Sequence, residues 1–132
     1  MKRFASTAVA FAILSGGLVS YAGETAPAEA ACEVAKDVGR VKCTIRWAHR
    51  GAEWADLSVI RVPEGVSALR GRLGLSEAES RDDARVTWSV ALVAKRAVEG
   101  EVLFRLRSVG CTKDGRCTPE VHDVPAIVSV GR

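Results

Sequence analysis

Apolar residues recur at every second position in four separate stretches of this chain, a spacing that cannot fall on one face of a helix. Val41, Cys43, Ile45 and Trp47 alternate with Lys42, Thr44, Arg46 and Ala48. Val86, Trp88, Val90 and Leu92 alternate with Thr87, Ser89 and Ala91, and Val102, Phe104 and Leu106 with Leu103, Arg105 and Arg107. Near the end, Val124, Ala126, Val128 and Val130 share one face. Each stretch is rich in β-branched residues and bounded by Gly, Pro or Asp, the signature of a half-buried strand. A further apolar run from Leu57 to Val62 stops at Pro63-Glu64-Gly65, a turn signal. Ser76 to Ala84 begins like a capped turn, with Glu79 three residues after Ser76, but it has no apolar face and reads as a polar loop or a single turn. Six or seven short strands predict an all-β chain, folded as an immunoglobulin-like β-sandwich.

The N-terminus predicts export. Lys2 and Arg3 precede an apolar stretch from Phe4 to Val19, and Ser20-Tyr21-Ala22 offers small residues where a signal peptidase reads them. Residues 1–22 are therefore expected to be a signal peptide, residues 23–31 a flexible polar leader, and residues 32–132 the sandwich domain. Gly16-Gly17 and the small-residue exit argue against an uncleaved anchor. A lipoprotein would need a cysteine directly after the apolar segment, and Cys32 lies well beyond it. Cleavage removes 22 of the 132 residues and leaves 110, enough for one core. It also removes two of the 19 basic residues, leaving 17 against 16 acidic ones, a net charge of +1. A nearly neutral domain with interspersed signs has no electrostatic footprint for nucleic acid or for an anionic membrane. No later segment is long and apolar enough to span a bilayer. The expected location is the periplasm or the secreted space.

In an oxidising compartment, four cysteines in a small domain point to disulfides. The spacings Cys32-x10-Cys43 and Cys111-x5-Cys117 do not fit the closely spaced pairs that hold zinc, and no metal is expected. Lys113-Asp114-Gly115 reads as a three-residue hairpin loop, with Gly115 supplying the left-handed last position. Thr112 then closes the loop opposite Arg116, and Cys111 faces Cys117 in a non-hydrogen-bonded pair with Cα atoms roughly 4.5 Å apart. A disulfide there is feasible but near the short end of the usual range. Strained or exposed disulfides are the labile ones, and this seven-residue loop gives only about 2.4 kcal/mol of chain-entropy stabilisation. Cys32 and Cys43 read as a structural staple around the turn Asp37-Val38-Gly39, with about 2.8 kcal/mol for the twelve-residue loop. Four cysteines allow three connectivities. An antibody-like bond from Cys43 to Cys111, with Trp54 as the core tryptophan, is a further possibility, although Val109 stands where that framework has a tyrosine.

The stretch from Gly100 to Pro125 resembles the N-terminal periplasmic domain of the thiol:disulfide interchange protein DsbD. The likeness rests on Gly110-Cys111, Gly115, Cys117, Pro119-Glu120 and Val124-Pro125. It implies an immunoglobulin-like sandwich with a redox-active pair at one end. Such a domain takes electrons from a membrane electron transporter or a thioredoxin-like module and passes them to extracytoplasmic proteins. By position, Cys117 would form mixed disulfides and Cys111 would resolve them. The family guards its pair with a loop bearing acidic and aromatic residues. The corresponding stretch here, Leu69 to Ser80, has no aromatic residue, which leaves Leu73 or Leu75 as the candidate shield, or no shield at all. The transporter and thioredoxin-like domain that usually follow are not in this sequence, so the partners are expected on other chains.

Thiol exchange requires a thiolate, favoured by nearby positive charge. Lys113 and Arg116 lie in the loop, and His122 is five residues past Cys117. No phosphate loop, nucleophile motif or paired-carboxylate arrangement is present, and no cofactor is expected. Asp82-Asp83, Glu77 and Glu79 form an acidic cluster without calcium-loop spacing. If the protein is an enzyme, the expectation is a thiol:disulfide oxidoreductase. The rival is a non-enzymatic secreted sandwich that binds another protein and uses both disulfides structurally.

Overall fold

The alternating stretches fold into two sheets packed face to face. The structure is a computed structural model and describes residues 27–49 and 52–131. The expected signal peptide lies outside these residues. In chain order the strands are β1 (Ala28–Cys32), β2 (Val34–Ala35), β3 (Gly39–Ala48), β4 (Ala52–Arg61) and β5 (Val66–Ala68). There follow β6 (Arg72–Gly74), β7 (Ser80–Arg81), β8 (Arg85–Ala94), β9 (Val98–Cys111) and β10 (Cys117–Val130). The first sheet runs β1-β3-β8-β5, with β7 also on β8; the second runs β2-β10-β9-β4-β6. The chain crosses between sheets at Glu33, since β1 pairs with β3 whereas β2 pairs in parallel with the end of β10.

The period-two faces meet as the sequence predicts. Val41, Cys43, Ile45 and Trp47 of β3 and Val86, Trp88, Val90 and Leu92 of β8 are buried against Val102, Phe104 and Leu106 of β9 and the inward residues of β10. Trp88 is fully buried, and its indole N–H donates to the Gly74 carbonyl at 2.9 Å, so the ring fills the core without an orphaned polar atom. The Pro63-Glu64-Gly65 signal is a tight turn. The Val66 N–H donates to Pro63 O at 3.1 Å, and Gly65 takes φ 89°, which a side chain would resist.

Four details differ from expectation. Residues 28–31, assigned to the leader, form the body of β1, because Ala28 and Ala30 are small enough to pack inward while Glu29 faces solvent. The cap in the polar stretch is not Ser76 with Glu79. Instead, Glu77 in a single 3-10 turn (Leu75–Glu77) accepts from the Gly74 N–H at 2.9 Å. The acidic cluster is dispersed among local contacts: Asp82 accepts from the Ala84 and Arg85 N–H groups, and Glu79 pairs with Lys42. Trp54 is not the core tryptophan that the antibody-like alternative needs. It shares the parity of Asp56 and Ser58, opposite to buried Ala55 and Leu57, so alternation along β4 puts the indole on the outer face of the second sheet, 44% exposed.

That outer face carries one buried ion cluster. Asp56, 3% exposed, accepts from Arg107 at 3.1 and 2.7 Å and from Arg72 at 2.6 Å, and Arg107 also lies 5.7 Å from the Trp54 ring centroid. The Arg107 hydrogen bonds hold the Asp56 carboxyl below its ordinary value of 3.8, against the opposing effect of burial and with further help from Arg72. A lowered carboxyl pKa contributes stability that is complete above the unfolded value and fades as pH falls through the folded one. Chemical denaturation should therefore show stability falling below about pH 4, with Asp56→Asn losing part of that acid dependence. Because both arginines face water and stay hydrated without their partner, Asp56→Ala should cost only about 1–3 kcal/mol.

Candidate functional site

The β9–β10 hairpin is in register from Val98↔Val130 to Cys111↔Cys117 with no break. Its loop has the predicted form. The Thr112 N–H donates to Arg116 O at 2.8 Å, the Gly115 N–H donates to Thr112 O at 3.0 Å, and Gly115 takes φ 90°. The Thr112 hydroxyl donates to Asp114 and accepts from the Arg116 N–H, which ties the loop together. The Thr112 hydrogen bond holds the Asp114 carboxyl below its ordinary range. Asp114 is therefore an anion beside Arg116, 3.9 Å away, and Lys113 adds a second cation to the loop.

The cysteines pair as Cys32–Cys43 and Cys111–Cys117, which rules out the antibody-like Cys43–Cys111 bond. Both disulfides join directly opposed residues, at Cα separations of 3.9 and 4.0 Å. Backbone spacing therefore does not single out the hairpin bond. Accessibility does. Cys43 is completely buried and Cys32 half-buried on the inner face, whereas Cys117 is exposed and Cys111 half-buried at the tip of the hairpin. Alternation along β9 and β10 sends both hairpin sulfurs to the outer face of the second sheet, in line with Val109, Pro119 and Val121. An incoming thiolate therefore meets an exposed residue at Cys117, whereas the other bond offers only half-buried Cys32 and a fully buried Cys43.

The residues named as shield or helper lie elsewhere. Leu73, 7% exposed, pairs with Leu57 on β6 and belongs to the core. It stands at the level of Leu106, short of the hairpin tip, because the bulge-free middle of β4 fixes β6 there. Leu75 is partly buried against the same core, so neither leucine covers the sulfurs. His122 faces the opposite side of β10 from Cys117 and lies 3.2 Å from a Glu120 oxygen. Alternation alone separates it from the sulfurs, a consequence its odd spacing from Cys117 concealed until the strand was known to continue through Pro119.

Beneath the base of the hairpin, on its inward side, the sandwich end opens into a cleft of about 830 Å³ lined by Pro27, Trp47, His49, Ala52, Ser108 and Glu120. His49 stacks on Trp47 at 4.7 Å and accepts from the Ala52 N–H at 3.3 Å through Nδ1. Its buried Nε2 has no partner among the described residues. The cleft and the disulfide therefore occupy opposite faces of one hairpin. Among the described residues no group of three or more His, Cys, Asp or Glu side chains could hold a metal ion, and no helix is long and apolar enough to cross a membrane.

No family model and no curated protein matches the chain. Among solved structures, a protein of unknown function from Porphyromonas gingivalis W83 aligns with 80% of this chain at 13% identity and a TM-score of 0.36. The chain spans 49% of that protein's length, a likeness too distant to carry an argument about fold or activity.

Proposed function

We propose that the protein is an exported thiol–disulfide exchange module of the DsbD N-terminal type, acting through Cys111 and Cys117. The observation that carries this reading is the contrast in access between two disulfides of equal backbone spacing, one with Cys43 fully buried and Cys32 half-buried, the other presenting exposed Cys117 at a hairpin tip. Disulfides that partners can reach are the exchangeable ones. The immunoglobulin-like part of the proposal draws support from the strand order. The β1-β3-β8-β5 sheet corresponds to A-B-E-D, and β10-β9-β4 to G-F-C. Two disulfides suit an oxidising compartment, periplasmic or secreted.

In the reduced protein, the Cys117 thiolate attacks a disulfide sulfur of a substrate protein and forms a mixed disulfide, while the second substrate sulfur leaves as a thiolate and takes up a proton. The Cys111 thiolate then attacks the Cys117 sulfur. The Cys111–Cys117 bond forms, the mixed bond breaks, and the substrate departs as a dithiol carrying two electrons. A donor dithiol, on a membrane transporter or a thioredoxin-like protein, returns the pair by the reverse sequence. Lys113 and Arg116 favour the thiolates, with Asp114 offsetting one of the two charges.

Titration against glutathione buffers, with thiols counted by mass, should open Cys111–Cys117 at mild potential while Cys32–Cys43 stays closed. If both bonds resist until the domain unfolds, the exchange role is excluded and a protein-binding sandwich with two structural bonds remains. The roles of the two sulfurs are separable as well. Cys111→Ser should accumulate mixed disulfides on exposure to an oxidised thiol, and Cys117→Ser should accumulate none. Equal trapping by both variants would undo the assignment.

A further inference from the structure

Strand β10 is an edge strand over most of its length. Among the described residues it pairs with β9 on one side throughout, and with β2 on the other side only at Ser129 and Val130. The direction of its free groups follows from the ladder. Thr112 and Arg116 form a hydrogen-bonded pair, so Cys111↔Cys117 is non-hydrogen-bonded, and the pairs alternate from there. Odd-numbered residues of β10 therefore turn their backbone N–H and C=O away from β9. At the far end Gly131 obeys the same parity, its N–H donating to Ala35 O at 2.9 Å. From Cys117 to Ile127 these outward groups pair with no strand among those described, although β1 of the facing sheet packs close alongside β10.

Two of the odd positions, Pro119 and Pro125, have no N–H to offer. Their missing donors would have pointed outward, so they cost the ladder nothing while limiting which strands can add to the edge. Between them Val121 and Asp123 keep their N–H groups, and the carbonyls of residues 119, 121, 123 and 125 remain as acceptors. The window begins beside Cys117, which itself presents a backbone N–H and C=O on the same side. The sulfur chemistry selects this side too. A thiolate attacks a disulfide in line with the bond, opposite the leaving sulfur. With Cys111 leaving towards β9, the approach to Cys117 opens over the unpaired edge of β10.

We propose that the Cys117–Pro125 edge of β10 is the docking site for an extended, cysteine-bearing segment of the exchange partner, which adds to the sheet as a short strand. This rests on the exchange reading above. An unpaired strand edge recognises an extended polypeptide backbone, and side-chain pockets or charges then set preference. Near the hairpin on the outer face Arg72, Arg107, Lys113 and Arg116 stand against the carboxylates of Asp56 and Asp114, while Asp123 within the window is matched by its own partner Arg105, which leaves a net positive charge beside Cys117. Exposed Val121 and Trp54 supply the apolar surface. The favoured segment therefore carries acidic and β-branched residues around its cysteine.

The test uses a short peptide with acidic and β-branched residues alternating around one cysteine, its cysteine-to-serine analogue, and glutathione as the thiol without a strand. Compared at equal thiolate concentration, the peptide should open Cys111–Cys117 about tenfold faster than glutathione, because the edge raises its local concentration. Val121→Pro, which removes one of the two donors between the prolines, should bring the ratio of the two rates close to one. In the unmodified protein the serine analogue should shift the backbone amide NMR signals of Val121 and Asp123. Equal peptide-to-glutathione ratios in the protein and the variant, or amide signals that do not move, would overturn the docking site. If the serine analogue moves those signals while neither thiol opens the bond, the edge stands and the exchange reading fails.

Discussion

The unbroken pairing of β9 with β10 is the constraint on which the rest depends. One ladder from Val98↔Val130 to Cys111↔Cys117 fixes the parity of every residue on both strands. The same parity buries Val102, Phe104, Leu106, Val124, Ala126 and Val128, turns both hairpin sulfurs outward, and aims the unpaired backbone groups of β10 away from the sheet. A slip of one residue would bring the sulfurs to the inner face and expose the core in a single step. The large inward residues at one end therefore hold the register of the chemistry at the other.

Much of this was legible in the sequence because strand faces depend only on parity. The four alternating stretches identified β3, β8, β9 and β10, and Lys113-Asp114-Gly115 identified the hairpin turn through the residue that its last position requires. Legibility ended where geometry depends on distant partners. Residues 28–31 read as part of a small, mobile leader because alanine carries little strand preference, yet alanines at 28 and 30 suit a strand that lies close to its neighbours. Trp54 reads equally as a core or a sheet-face residue, because Ala55, Asp56 and Leu57 are all buried and hide the alternation that places it outside. The two- and three-residue strands β2, β5, β6 and β7 are too short to show any period at all.

The candidate site divides in the same way. Which cysteines face one another followed from turn chemistry, but which disulfide a partner can reach did not, since exposure depends on what the remaining elements cover. Leu73 illustrates the difference. Its position in a polar loop made it a candidate cover for the sulfurs, whereas pairing with Leu57 draws it into the interior. His122 shows the converse, a residue close in sequence to Cys117 that strand alternation places on the opposite side of the sheet.

The buried bond has a consequence of its own, because it lies at the point where the chain changes sheets. Cys32 ends β1 and, one residue later, the chain joins β10 in the opposite layer as β2. The Cys32–Cys43 linkage thus pins β1 to β3 within the first sheet, at the point where the chain leaves for the second. Cutting it would let β1 and β2 peel back together, extend the bare margin of β10 to the C-terminus and leave a strip against which other copies could polymerise. One sulfur pair, on this view, limits how much of the β10 margin lies bare, while the other sits at its opposite end.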